Sequence, residues 1–355
     1  MKTTFISTQA VSSATRLSIM KMQAELAKNS KELGSGRWAD VGLELGNKTG
    51  RTVSLRQDFA RLDSIKDTNG LVMSRLDGSQ AALEGMLKMA QDFSASLIGV
   101  RTGDTGADVI QDDAKNNLQA LIASLNTSID GEYLFAGIDT DVRPVTDYYA
   151  TPVVPGTGPK AAVDDAFLTA FGMAQNDPAV INITPAAMDA FLNGAFAAMF
   201  DPAAWTDPTT GWSSASDQNV RSRISTSELV DTSANANEAA FRKIAMAYTM
   251  VTEFASSNLS EGAYQTVIDK AAEIVGEAIS STTVVMARLG TAQERVKNAN
   301  DRMDVQMKIL NTHINDLELV DPYEAQTRVT ALETQLDMAY ALTARAQQLS
   351  LLNYL

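Results

Sequence analysis

The stretch MARLGTAQERVKNANDRMDVQMKILNTHINDL (286–317) carries Leu289, Val296, Met303, Leu310 and Leu317 at unbroken intervals of seven. Met286, Gln293, Asn300, Met307 and Ile314 take the companion positions, so eight of these ten residues are apolar. A heptad kept over this length puts one apolar stripe on a helix, and such a stripe needs a second helix against it. The polar pair, Gln293 and Asn300, is expected to fix register at some cost in stability. Asp321-Pro322 ends the rod, because proline disfavours helix at the residue before it.

A partner of the same kind lies in the N-terminal half. From Thr52 to Val100, Leu55, Phe59, Leu62, Lys66, Asn69, Met73, Leu76, Gln80, Leu83, Leu87, Ala90, Ser94 and Leu97 alternate steps of four and three. The segment TGDTGAD (102–108) breaks this rod, and a helix over Ala107–Ile129 follows, with Ile110, Ala114, Leu118, Leu121 and Leu125 on one face. Asp130-Gly131 stops that helix, and GEYLFAGIDTDVRP then suggests a short strand or hairpin. At the N-terminus, Ile6, Ala10, Ser13, Leu17, Met20, Ala24 and Ala27 form a narrow seam over 3–33, widened by Ile19, Met22, Leu26 and Leu33. The glycine-rich GSGRWADVGLELGNKTG (34–50) reads as a loop or extended crossover. Helical spacing resumes near Ser233 through Phe241, Ile244, Tyr248, Val251 and Ala255. The last helix, from Tyr323 to about Leu349, presents Ala325, Val329, Leu332, Leu336 and Ala339.

Eight of the nine prolines lie between Pro144 and Pro208, and the ninth is Pro322. Proline breaks helix interiors, so two proline-free arms flank a region that cannot be a long helix. The predicted class is mainly α: a long coiled-coil-like helical bundle formed by N- and C-terminal arms, with a small inserted α+β or β-rich domain. The divisions are an assembly helix and crossover (1–50), an N-terminal rod part (51–139), the inserted outer domain (140–215), a C-terminal rod part (216–320) and a C-terminal assembly helix (321–355). Within the insertion a strand is expected around Val180–Thr184 and a helix near Pro185–Phe200.

Burying one Leu stabilises by about 1.5–3 kcal/mol, while ordering a residue costs about 1–2 kcal/mol of backbone entropy. A single stripe does not cover that cost, so the arms must pack together, and their ends are expected to order on assembly. The candidate assembly residues are Ile6, Leu17, Met20, Leu310, Leu317, Leu332, Leu336, Leu349, Leu352 and Tyr354.

The formal net charge of −14 argues against nucleic acid as a partner. No stretch reaches the roughly 18 apolar residues of a membrane span, so no membrane insertion is expected. The polar start MKTTFISTQAVSSATRL lacks the apolar core of a secretory signal, so export would need a dedicated machine and no cleaved signal peptide. With no Cys and one His, thiolate chemistry and a His-based metal cluster are excluded.

Gly42-x-x-x-Gly46-Asn47-Lys48-Thr49 fails the spacing of a phosphate loop. Asp104, Asp108, Asp112 and Asp113 lack the calcium-loop pattern and suit a helix start instead. His313 has no second His or Cys to join it. Catalytic residues, cofactor and metal are all expected to be absent, and no enzyme is expected.

Several short segments carry a resemblance. The first helix leading into Gly34-Ser35-Gly36-Arg37 resembles the SGxR-type exit of the flagellin and hook-associated protein family. Gly131-Glu132-Tyr133-Leu134-Phe135-Ala136-Gly137 is similar to the YLFAG segment typical of its hook–filament junction members and not usual in filament flagellin. Leu289-Gly290 with Arg295 resembles the start of the family's C-terminal rod, and Ser350-Leu351-Leu352-Asn353-Tyr354-Leu355 its closing sequence. The DDPxx or DDAAG element usual after the first helix is replaced here by Trp38-Ala39-Asp40-Val41-Gly42-Leu43-Glu44-Leu45-Gly46.

The resemblance implies an extracellular structural subunit of the bacterial flagellum, self-assembling into a ring between an adjacent hook-associated protein and flagellin. It also implies an export chaperone and passage through the flagellar type III apparatus. In the same picture the terminal helices form an inner tube, the rods its sleeve, and residues 140–215 project outward. A short filament flagellin would use the same arms, and a cytoplasmic coiled-coil adaptor or signalling rod would use the heptads alone.

Overall fold

The computed structural model describes residues 8–101, 106–150, 154, 156–256 and 258–352, with side-chain detail running from residue 13 to residue 345 of these. In chain order come helices α1 (Thr8–Ser35) and α2 (Val41–Leu45), a 3-10 turn (Gly46–Lys48), and helices α3 (Thr49–Val100) and α4 (Ala107–Leu125). A hairpin of β1 (Ser128–Ile129) and β2 (Glu132–Tyr133) follows, then α5 (Pro159–Phe171), a 3-10 turn (Pro178–Asn182), α6 (Pro185–Phe191) with a π segment (Leu192–Phe196), and α7 (Pro202–Trp205). A second hairpin, β3 (Arg221–Arg223) and β4 (Leu229–Asp231), leads to α8 (Ala239–Phe254), α9 (Glu261–Glu318) and α10 (Pro322–Leu352). The class is mainly α, and the chain divides into two compact units: Ser64–Met303, and Met1–Asp63 with Asp304–Leu355.

Ser64–Met303 holds the large core. Along α9 the buried residues Ala278, Thr282, Val285, Leu289, Ala292, Val296, Ala299 and Met303 alternate fours and threes. Along α3, Asn69, Val72, Leu76, Ser79, Leu83, Met86, Ala90, Phe93 and Leu97 do the same. One expected column on each helix is therefore the buried one. The other is displaced by one residue: Val285, Ala292 and Ala299 fill it in place of Met286, Gln293 and Asn300. Val72, Ser79, Met86 and Phe93 likewise replace Met73, Gln80, Leu87 and Ser94, which are half-buried. Small Ala292 and Ala299 let the facing helix approach closely, and the side chains displaced to the seam's edge include amides that find partners there. Gln293 Nε2 donates to Asp77 Oδ1 (2.7 Å), Gln80 Nε2 to the Met286 carbonyl (2.8 Å), and Asn69 Nδ2 to Asn300 Oδ1 (2.7 Å). The stretch of α9 in the other unit has Ile314 buried and Met307, Leu310 and Leu317 half-buried.

Residues 140–215 share this core. Trp205 stacks on Trp212 (5.3 Å between centroids) and Trp212 on Tyr148 (5.0 Å), while Phe167 stacks on Phe254 of α8 (5.4 Å). Two sequence expectations are corrected here. Asp130-Gly131 is a hairpin turn and not a helix stop: both residues have positive φ (54° and 85°), the primed-turn geometry that suits a tight hairpin, and α4 already ends at Leu125. The expected strand at Val180–Thr184 is a 3-10 turn, started by Asp177 accepting from the Ala179 N–H (2.8 Å) with Pro178 in its first turn. Pro185–Phe200 is helical as expected but widens into the π segment.

In the other unit, α1 packs on α10. The side of α1 turned inward is Ile19, Met22, Leu26, Asn29 and Leu33, the strip that sequence had placed second. Ser13, Leu17, Met20, Ala24 and Ala27 are exposed on the opposite side. On α10, Ala325, Val329 and Leu336 are buried, with Leu332 and Ala339 half-buried beside them.

Candidate assembly surface

The expected assembly residues fall into three groups. Leu17 (51% exposed) and Met20 (48% exposed) stand outward on α1. Leu310 and Leu317 of α9 and Leu332 of α10 are half-buried, and Leu336 is buried against the α1 side, so these four hold the unit together from within. Leu349 and Leu352 lie in the helical stretch of α10, with side chains outside the described residues, as are Ile6 and Tyr354 altogether. More apolar side chains stand outward in the same unit: Val305 and Ile309 on α9, Met338 and Leu342 on α10.

What aligns these helices is a clamp between the two crossovers, which the sequence reading did not single out. The chain turns at Gly36 (φ 68°), whose N–H donates to the Glu32 carbonyl (2.8 Å). It then runs antiparallel to the link between α9 and α10: the Trp38 N–H donates to the Glu318 carbonyl (3.1 Å), and the Val320 N–H to the Gly36 carbonyl (3.0 Å).

Beneath this pairing the Glu318 side chain is 1% exposed. Arg56 Nε donates to its Oε1 (2.7 Å), a second Arg56 nitrogen donates to Oε2, and Arg37 Nη1 lies 3.5 Å from Oε2. Arg–carboxylate forks of this kind are among the stronger protein hydrogen bonds. The bonds from Arg56 hold the Glu318 carboxyl below the usual carboxylate range, against the upward push of burial. The Arg328 guanidinium caps the assembly, 5.5 Å from the centre of the Trp38 ring. Arg37 was visible as part of the SGxR segment. Glu318, one residue past the last heptad Leu, carried no signal of its own.

The unusual crossover after Trp38 is a short helix. Asp40 caps α2 by accepting from the Leu43 N–H (2.9 Å), and the Ala39 N–H donates to Glu32 Oε1 (3.1 Å). This corrects the expectation of a loop over 34–50, and the physical reason is local: an Asx cap at a helix start. Asp321 serves α10 in the same way, accepting from the Tyr323 N–H (2.8 Å), with Pro322 at the first helical position.

The YLFAG segment is interior. Leu134, Phe135 and Ala136 are buried, and Phe135 meets Phe241 edge-on at 5.6 Å. Its backbone is paired on both sides: the Ser216 N–H donates to the Ala136 carbonyl (2.9 Å) and the Ala236 N–H to the Phe135 carbonyl (2.8 Å). A methyl group on Gly137 (φ 69°) would sit 2.4 Å from the Ser216 carbonyl oxygen and 2.6 Å from that of Gln218. Gly78 of α3 is less constrained: a methyl there would come within 2.6 Å of Ile129 Cδ1 in the hairpin, the tip of a side chain that can shift.

The second hairpin is held to α9 by charge. Glu228 accepts from Arg295 (3.0 Å) and Arg302 (3.1 Å), one heptad apart, and Asn69 Nδ2 donates to the Ile224 carbonyl (2.9 Å).

An open cleft of about 910 Å³ is lined by Lys160, Asp164, Asp165, Gln175, Asn176 and Glu253 among others. Its one lysine is already paired. Lys160 Nζ contacts Asp164 (2.8 Å) and Glu253 (3.0 Å), bonds that outweigh burial and raise the Lys160 pKa. The Tyr148 hydroxyl donates to Glu253 (3.0 Å), with burial and that carboxylate pushing its pKa up. Among the described residues no three His, Asp or Glu side chains converge as a metal site, and no helix is long and apolar enough to cross a membrane.

A model of the bacterial flagellin N-terminal helical region matches residues 6–140, and one of the bacterial flagellin C-terminal helical region matches residues 272–355. Together they take in more than half of the chain, which belongs to the flagellin family. The chain is a structural subunit of the flagellum, of a family whose members self-assemble. Among solved structures it is similar to one described as "Structure of putative flagellar hook-associated protein from Vibrio parahaemolyticus", at 12% identity and a TM-score of 0.41, over 77% of this chain and 96% of that one. No curated protein matches it.

Proposed function

We propose that this subunit forms the junction between hook and filament: a ring that docks on a hook-associated protein on one side and accepts flagellin on the other. The observation that carries the reading is the segment Gly131–Gly137, whose GEYLFAG sequence resembles the junction members of the family more than filament flagellin. Its burial beside Phe241, with no room for a side chain at Gly137, ties that sequence to the packing of the Ser64–Met303 unit. The function is mechanical and needs no catalytic group. In this reading the outward residues Leu17 and Met20, with Ile6, Leu349, Leu352 and Tyr354 at the chain ends, contact neighbouring subunits, and residues 140–215 face outward. The chain reaches the flagellar tip unfolded through the type III channel, with a chaperone covering its apolar ends beforehand.

Electron microscopy of a strain lacking the gene, with flagellin assayed in the culture medium, tests this. Bare hooks with unpolymerised flagellin in the medium are expected. Filaments of normal length and number would contradict the junction role and favour a redundant filament flagellin.

A further inference from the structure

We infer that the cleft beside α5 is a binding site for a linear aliphatic amine with two or more ammonium groups, its charges set on carboxylates and its methylenes on an apolar wall. The site lies within the Ser64–Met303 unit and does not depend on where in the appendage the subunit sits.

Most of the cleft is built from one short stretch. Along α5, Lys160, Asp164 and Leu168 recur every four residues and so share one helix face, with Asp165 beside them. Gly172, in the left-handed conformation (φ 71°), ends the helix and turns the chain back. Gln175 Nε2 thereby reaches Asp164 Oδ1 (3.0 Å). Glu253 comes from α8, its side chain 10% exposed against 45% for Asp164. The volume of about 910 Å³ falls within the usual range of small-ligand clefts.

The lining is acidic beyond what the chain neutralises. Asp164, Asp165 and Glu253 stand against Lys160, which leaves two negative charges over. Lys160 Nζ is shared by Asp164 and Glu253, while Asp165 makes no hydrogen bond or ion pair among the described residues. The surrounding stretch, 140–215, holds eight Asp and no Glu against Arg143 and Lys160. Such a field gathers cations and turns anions away.

Lys160 itself marks the kind of cation that suits the cleft. Its ammonium, on an alkyl stem, sits 2.8 Å from Asp164 and 3.0 Å from Glu253. Burial pushes its pKa down, but those carboxylates outweigh burial and raise it. A second alkylammonium meets the same chemistry at Asp165 and the remaining Asp164 oxygen. Ala161, Ala162, Leu168 and Ala174 offer apolar wall to the methylenes between charges, as apolar surface commonly does to the stems of Lys and Arg. A bare divalent ion is served less well, since among the described residues no three acids converge as a metal site. Charges spread along a cleft suit a ligand whose own charges are spaced apart.

Calorimetric titration of the full-length protein with putrescine tests the site. One equivalent is expected to bind with a Kd of about 1 mM or below, and more weakly as salt is raised. Asp165→Asn should weaken binding about five-fold and leave the unfolding midpoint unchanged, because Asp165 has no partner to lose. Asp141→Asn removes the same charge from the same acidic stretch but not from the cleft, and should keep the wild-type Kd. Equal losses in the two variants would reduce the binding to diffuse attraction and overturn the inference, as would absence of binding at low salt. Adipate, a dianion of matching length, should not bind, and binding of equal strength would show that charge does not select the ligand. Displacement of putrescine by an equal concentration of calcium would assign the acids to a metal instead.

Discussion

Arg56 and Glu318 are 262 residues apart in sequence, yet Arg56 Nε donates to Glu318 Oε1 over 2.7 Å. The pair joins the start of α3 to the end of α9 directly under the antiparallel pairing of the two crossovers. A salt bridge between exposed groups contributes little, but here one partner is almost fully buried, and removing it leaves donors aimed at an empty site.

Glu318→Gln is expected to destabilise the protein at pH 7 by about 1–3 kcal/mol, the usual cost of an unpaired buried polar group. The sign of the pH dependence follows from the depressed Glu318 pKa. Its stabilisation is fully present above the unfolded-state value of about 4.3 and is lost as pH falls through the lower folded value. Denaturant midpoints of wild type and variant should therefore converge below about pH 4. A constant gap down to pH 3 would show that the charge does not matter.

At Gly137, substitution by Ala should be far worse than at Gly131. Both have positive φ, but a methyl at Gly131 meets nothing within 4 Å, while at Gly137 it strikes two backbone oxygens. The left-handed conformation alone costs about 1–2 kcal/mol, so Gly131→Ala should lose about that much and Gly137→Ala more than about 3 kcal/mol. Equal losses in thermal or denaturant unfolding would refute the close packing of the YLFAG segment.

Two glycines within α3 make the opposite contrast. Gly70 has open space, so Gly70→Ala should stabilise by about 0.5–1 kcal/mol. Gly78→Ala should bring no such gain, because the Ile129 side chain must move aside. Matching gains at both sites would mean that the first hairpin does not lie on the helix as described.

The seam of the Met1–Asp63 and Asp304–Leu355 unit supplies a harsher test. Leu310→Asp with Leu317→Asp puts two carboxylates among half-buried apolar residues, and burying an unpaired charge costs several kcal/mol. Loss of the protein from purified appendages is the expected result. Incorporation at the wild-type level would remove this stretch of α9 from the assembly.

These contrasts mark what can be read from sequence and what cannot. The rods were legible because heptads are periodic, and the crossover positions because glycine and proline punctuate the chain. The displaced second column was not, since Ala292 and Ala299 look no more apolar than Met286, and only the close approach of a second helix selects the smaller residue. Helix α5 was overlooked although its signals were present: Pro159 at its start and Gly172 (φ 71°) at its end. The second hairpin, β3–β4, had no such punctuation, and its hold on α9 comes from Glu228, Arg295 and Arg302, charges that meet only in the folded chain. Of the candidate site, spacing put Leu17 and Met20 on one face of α1 but did not show that the other strip is the one packed inward. The Glu318 clamp did not, because no local pattern announces a partner 262 residues away.

Immunogold labelling of intact appendages tests the central claim most directly. A junction subunit should appear as one compact cluster between hook and filament on each appendage. Label spread along the filament would contradict the account and make this chain a filament flagellin.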